Sequence, residues 1–156
     1  STKLTPVPRG KPWDFEPQDG AVVGLHQGAH YFTVGQRKGL LVGGKPLPLF
    51  VLATDVVRNV VYVGQGEDHP GLYRNAIWIA AEDLHWVQLW RELALGERAT
   101  YSLRIRYRQA LVEAELWRSE GGLWIEFRKP MKAVAPGQFA AWYDGGDLVG
   151  SGVIFN

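Results

Sequence analysis

Apolar and polar positions alternate along residues 99–108, ATYSLRIRYR. Tyr101, Leu103, Ile105 and Tyr107 fall on one face, and Arg104, Arg106 and Arg108 on the other. A period of two in a run rich in aromatic and β-branched residues predicts a half-buried strand. LVEAELWRS (111–119) follows after Gln109 and Ala110. A tight hairpin with those two residues at its tip sets Arg106 opposite Glu113 and Arg104 opposite Glu115. Each such cross-strand pair contributes about 0.2–1 kcal/mol. Arg108 is left without an acidic partner. Gln-Ala is a poor type I′ turn because neither residue favours positive φ, so an irregular, exposed tip is expected.

The rest of the chain reads as short strands between turns. AVVGL (21–25) and HYFTV (30–34) predict a strand pair around 26–29, and GQRKGLLVGG (35–44) is a glycine-rich basic loop. PLFVLATD (48–55) and NVVYVG (59–64) form a hairpin candidate turning at 56–58. GQGEDHPGLY (64–73) is rich in turn formers and marks a domain boundary. NAIWIAA (75–81) opens the second half, and 82–97 has room for one short helix. After the arginine hairpin come Gly121-Gly122, LWIEFR (123–128), FAAWY (139–143) and LVGSGVIF (148–155). Four prolines in residues 1–19 predict an extended arm or linker. The expected organisation is that arm, a small β-rich central domain over 20–66, and a second β domain over 73–156. Many short strands with frequent turns argue for an antiparallel barrel or sandwich.

Composition narrows the chemistry. The chain has 156 residues, 46% hydrophobic, with a net charge of +1, so any nucleic-acid surface must be a local patch. It contains no cysteine, which excludes disulfides, zinc–thiolate sites and thiol catalysis within it. No apolar run approaches the roughly 18–20 residues needed to span a membrane. His26 and His30 are four residues apart, but Gly28 between them argues against a helix presenting both to a metal. The serines lie outside any nucleophile elbow, and no phosphate-loop motif is present. Two stretches stand out. In VGQRKGLLVGG, Gln36, Arg37 and Lys38 offer donors on a glycine-freed backbone, which suits phosphate as well as it suits a solvated turn. In KAVAPGQF, Pro136-Gly137 fits a type II turn, and Gln138, which that turn does not require, is a candidate contact to a base or sugar. The seven tryptophans include candidates for base stacking, most of them better read as core.

HYFTVGQRKGLLVGG, DVVRNVVYVGQGEDHPGLY, AEDLHW, RIRYRQ and AVAPGQFAAWYDGGDLVGSGVI, in this order and spacing, resemble the C-terminal half of the bacterial tRNA-uridine 2-sulfurtransferases, the tRNA-specific 2-thiouridylases, over about residues 20–154. The resemblance implies a mainly β fold, a central β-rich domain followed by an antiparallel β-barrel like those of elongation factors. It implies a cytoplasmic enzyme that uses ATP to activate the wobble uridine at tRNA position 34 and delivers persulfide sulfur from cysteines. That chemistry belongs to an N-terminal PP-loop domain. The absent initiator Met and the lack of cysteine fit a C-terminal fragment, inactive alone and with no cofactor of its own. By motif position, Arg106, Tyr107 and Gln138 match tRNA-contacting residues, and Gln36, Arg37, Lys38 and Arg108 take a structural or tRNA-facing role. The implied partners are tRNA, the catalytic domain and a sulfur-relay protein. RYRQALVE lacks the family's usual proline after RYRQ, and LVGSGVI replaces LGGGxI. The competing reading is a protein-interaction barrel that packs on the catalytic domain or on the relay partner. A stand-alone enzyme finds no nucleophile, metal cluster or cofactor loop to support it.

Overall fold

The computed structural model describes residues 15–40 and 42–155, so most of the arm expected at 1–19 lies outside the described residues. The described chain divides into two compact units at Tyr73/Arg74.

The first unit is built on one hairpin. β1 (Leu49–Asp55) pairs antiparallel with β2 (Val60–Gln65), with a bulge between Val51 and Ala53. This is the hairpin the alternation predicts. Asp55 Oδ1 accepts the N–H groups of Val57 and Arg58, and Asn59 takes a left-handed φ of 56°, which closes the turn. Phe15, Leu52 and Leu72 are buried beside Phe50 and Tyr62, and the Phe15 and Tyr62 rings stack at 5.4 Å. The strands expected at 21–25 and 30–34 do not form. Residues 20–28 are irregular, and Ala29–Tyr31 is a single 3-10 turn. Val22 and Leu25 stand 88% and 94% exposed, so AVVGL has apolar residues but no sheet to bury them in.

The second unit is a curled antiparallel sheet of seven strands. They are β3 (Tyr73–Ala80), β4 (Leu84–Trp86), β5 (Arg98–Arg104), β6 (Val112–Ser119), β7 (Gly122–Lys132), β8 (Phe139–Asp144) and β9 (Asp147–Val153), in the order β3-β7-β6-β5-β8-β9-β4. β3 and β4 lie at opposite edges, yet only the 3-10 turn Ala81–Asp83 separates them in sequence. The sheet therefore curls to bring its two edge strands round toward one another. Phe155 N–H donates to the Trp78 carbonyl at 2.9 Å across that closure. The helix expected within 82–97 is absent, and the segment holds two 3-10 turns and β4 instead.

Trp142, Leu103, Leu116, Ile125 and Ile77 fill the interior, with Trp86 edge-on to Trp142 at 5.5 Å. The GSG of the closing strand is a packing device. A Cβ on Gly150 would lie 2.7 Å from the Trp142 ring, and one on Gly152 would lie 2.7 Å from Ile79 and 3.0 Å from the Asp83 carbonyl.

Candidate nucleic-acid interface

β5 ends at Arg104, earlier than alternation implies, and the connection to β6 is a loop over 105–111. Leu103 pairs with Val112 and Tyr101 with Ala114, a register displaced from the tight-hairpin expectation. The displacement is even, so the core face survives, but the charge pairs do not. Glu113 lies opposite Ser102 and forms an ion pair with Arg128, and Glu115 binds Arg98 at 2.8 Å. Arg104 and Arg106 are thus not neutralised by these glutamates. The cause is Gln109. Its Oε1 accepts the N–H groups of Ile105 and Arg106 at 2.8 and 3.2 Å, and its own N–H donates to the Arg106 carbonyl at 3.0 Å. A wide, side-chain-closed turn replaces the type I′ turn that Gln-Ala cannot make.

The loop meets a second one at the same end of the barrel. After β7, Ala133 adopts a left-handed φ of 57°. The Arg106 guanidinium donates to the carbonyls of Lys132 and Ala133 and pins this kink. Gln109 Nε2 also reaches Met131 Sδ at 3.4 Å. Ala135–Gln138 then turns the chain into β8, with Gly137 at φ 88° as a type II turn requires. Gln138 serves that turn, contrary to expectation. Its Oε1 accepts the Ala135 N–H at 2.9 Å, while its carbonyl accepts from Ile154 at 2.8 Å. Its Nε2 makes no hydrogen bond among the described residues.

Arg106, Tyr107 and Gln138 therefore come together on two touching loops. The conflict that strict alternation imposes, with Tyr107 facing away from Arg106, disappears because both have left the strand. Tyr107 is 86% exposed. Arg106 and Arg108 are exposed, and so is Lys129 on β7. Arg108 has no acidic partner among the described residues, as expected. Two of the five guanidinium N–H donors of Arg106 point inward to the carbonyls, which leaves donors for an external acceptor. Phe139, at the start of β8, and Phe155, two residues past the end of β9, add exposed aromatic surface. Of the tryptophans expected mostly in the core, only Trp86 and Trp142 are buried among the described residues. Trp78 and Trp124 are half-buried and pack on each other at 4.8 Å, while Trp117, with Arg98 over its ring at 4.4 Å, and Trp90 are exposed.

Gln36, Arg37 and Lys38 lie in the first unit, where the structure separates their roles. Gln36 Oε1 accepts from Thr33 N–H at 3.0 Å and its Nε2 donates to the Lys38 carbonyl at 2.8 Å. Gly35 N–H and Gln36 C=O latch the loop to Val51 of β1. Arg37 and Lys38 are exposed, and Arg37 lines an open cleft of about 640 Å³ together with Lys45. Sequence reasoning missed Arg74, buried at the start of β3 with Nε and Nη2 unpaired among the described residues, whose guanidinium burial pushes down to about 10. His69 is half-buried, and burial shifts it below the usual imidazole range. Among the described residues no group of three or more His, Asp or Glu is placed to hold a metal, and no helix is long and apolar enough to cross a membrane.

Comparison with known proteins accounts for both units. Residues 78–154 match the family model described as the aminomethyltransferase beta-barrel domain, and residues 5–65 match the tRNA methyl transferase PRC-barrel domain. The tRNA-specific 2-thiouridylase MnmA of Christiangramia forsetii is 53% identical over 146 residues, 92% of this chain. That of Flavobacterium johnsoniae is 50% identical over 141 residues, and that of Chlamydia felis 40% over 153. The chain belongs to the tRNA-specific 2-thiouridylase family. It spans 36% of the first two relatives and 40% of the third, and corresponds to their C-terminal portion.

Proposed function

We propose that this chain is the tRNA-holding portion of a tRNA-uridine 2-sulfurtransferase, which positions the wobble uridine for thiolation by a catalytic domain lying outside it. The observation that carries this reading is the meeting of the RYRQ loop and the APGQ turn. They place Arg106, Tyr107, Arg108 and Gln138 on one end of the barrel with exposed cations and aromatic rings. Cations at that end supply phosphate attraction without sequence reading, and the amide of Gln138 supplies a donor for a base or sugar. ATP binding and sulfur transfer belong to the catalytic domain in this reading, and the working compartment is the cytoplasm. Arg37, Lys38 and Lys45 form a second exposed basic surface on the first unit, which the same RNA either reaches or does not.

The test is binding of total tRNA to this chain by fluorescence anisotropy across a salt series, with Arg106→Ala and Gln138→Ala alongside. Affinity should fall with salt, and each variant should lose binding worth about 1–3 kcal/mol while keeping its melting temperature above the assay temperature. Absence of binding at low salt would sink the proposal. It would favour the second reading, a protein-contact surface for the catalytic domain or a sulfur-relay partner, which the exposed Val22, Leu25, Tyr31 and Val57 of the first unit support.

A further inference from the structure

Arg104 is the last residue of β5, and its guanidinium is turned along the sheet rather than out to solvent. It donates to the Tyr143 hydroxyl at 3.2 Å and, over a longer 3.4 Å, to the Tyr107 carbonyl. Its central carbon lies 5.1 Å from the Tyr143 ring centroid and 5.9 Å from that of Tyr107, both inside the range of a cation–π attraction. Tyr143 is fixed by β8, which pairs with β5 at Ser102 and with β9 at Leu148. The cluster thus runs from a rigid strand, through one cation, to a ring that is 86% exposed in a loop. Arg108 provides the contrast, being exposed and without such contacts among the described residues. Glu113, the nearest acid along β6, is taken up by Arg128, so the surroundings of Tyr107 stay cationic.

We propose that Arg104 and Tyr143 form a pedestal that holds Tyr107 outward as a stacking platform for an unpaired RNA base. Arg104 is a positioning residue here, not a phosphate contact. The proposal rests on the tRNA-holding reading and adds to it the class of RNA element engaged. A base can lie on an exposed tyrosine only where it is unstacked from its neighbours, as in a loop or single strand. The cations nearby then hold the backbone on either side.

Anisotropy with total tRNA, using the whole chain, separates these roles. Tyr107→Leu should weaken binding roughly 5- to 100-fold, the range for loss of one stacked base, and Tyr107→Phe should restore it. Arg104→Gln should weaken binding with the salt slope unchanged. Combined with Tyr107→Leu it should cost no more than Tyr107→Leu alone, because Arg104 acts through that ring. Arg108→Gln should instead flatten the slope by about one phosphate. A short single-stranded oligoribonucleotide should compete with tRNA, and a duplex of the same composition should compete poorly. If Arg104→Gln proves unfolded by its melting curve, Tyr143→Phe carries the same test, since it removes only the hydroxyl that holds Arg104. The pedestal is overturned if Tyr107→Leu binds normally, if Arg104→Gln flattens the slope as Arg108→Gln does, or if the duplex competes equally well. Failure of the unaltered chain to bind tRNA at any salt overturns the tRNA-holding reading itself, and the pedestal with it.

Discussion

Gln36, Gln109 and Gln138 close their turns in the same way. Each accepts, on its side-chain oxygen, the backbone N–H of the residue three positions earlier, at 3.0, 3.2 and 2.9 Å. Each donates its own backbone N–H to that residue's carbonyl, at 3.0, 3.0 and 3.4 Å. Glu97 does the same at Ala94, so the geometry needs only a side-chain oxygen of this length. Glutamine supplies that oxygen without a negative charge, which suits the proposed approach of a tRNA phosphate. Gln138→Glu should therefore leave the melting temperature within a few degrees of the parent while weakening tRNA binding, most at low salt. Gln138→Ala, which removes the acceptor, should cost about 0.5–1.5 kcal/mol in a denaturant melt. The sequence makes these glutamines conspicuous but does not reveal this role. Nothing in the letters APGQ distinguishes an amide that faces ligand from one that folds back onto its own turn, and the structure gives Gln138 one oxygen turned inward and one nitrogen to spare.

Elements tell a similar story one level up. The hairpin of β1 and β2 was legible because two alternating runs flank a turn with its own chemistry, Asp55 and Asn59. The arginine hairpin was legible in parity and wrong in register. Alternation fixes which side chains face the core, but only the turn fixes which residues are opposite, and Gln109 builds a longer one. AVVGL reads as a strand because strand propensity is local, yet residues 21–25 form no ladder although they line an open cleft together with Val60–Val63 of β2. The close approaches at barrel closure were not legible at all. Gly122 packs so tightly that an added Cβ would sit 2.3 Å from the Ile79 carbonyl, a backbone atom that cannot rotate away. Gly122→Ala should therefore destabilise the second unit by about 1–3 kcal/mol or more, read as a lower urea midpoint. In the first unit His69 caps the 3-10 turn Pro70–Leu72 through Nδ1, which accepts the Gly71 N–H at 3.0 Å, and burial holds its pKa below the usual value. The unfolded chain then binds the proton more readily, so this contribution is complete above about pH 6.5 and is lost as pH falls through the lower folded value. His69→Asn keeps an acceptor at the cap and does not titrate. Melting the two proteins between pH 8 and 5 should show a smaller acid loss in the variant.

At the scale of the whole molecule, charge is nearly balanced, with 17 Lys and Arg against 16 Asp and Glu. In the proposed tRNA-holding role, affinity for RNA would then come from arrangement rather than from net charge. Arg58, Arg91, Arg98 and Arg128 are occupied by Glu16, Asp144, Glu115 and Glu113. Arg106, Arg108 and Lys129 remain outward at the loop end of the barrel. If each of these three meets one phosphate, the slope of log affinity against log salt should be about −2 to −3. This slope works as a count. A value close to the prediction places the RNA on the barrel end alone, and Arg37→Ala with Lys38→Ala should then leave it unchanged. A slope steeper by about two units means that the glycine-rich loop of the first unit binds the same RNA. The same double substitution should then return the slope to the barrel's own value, while Arg108→Gln lowers it by about one in either case. The measurement therefore decides how many of the two units touch RNA.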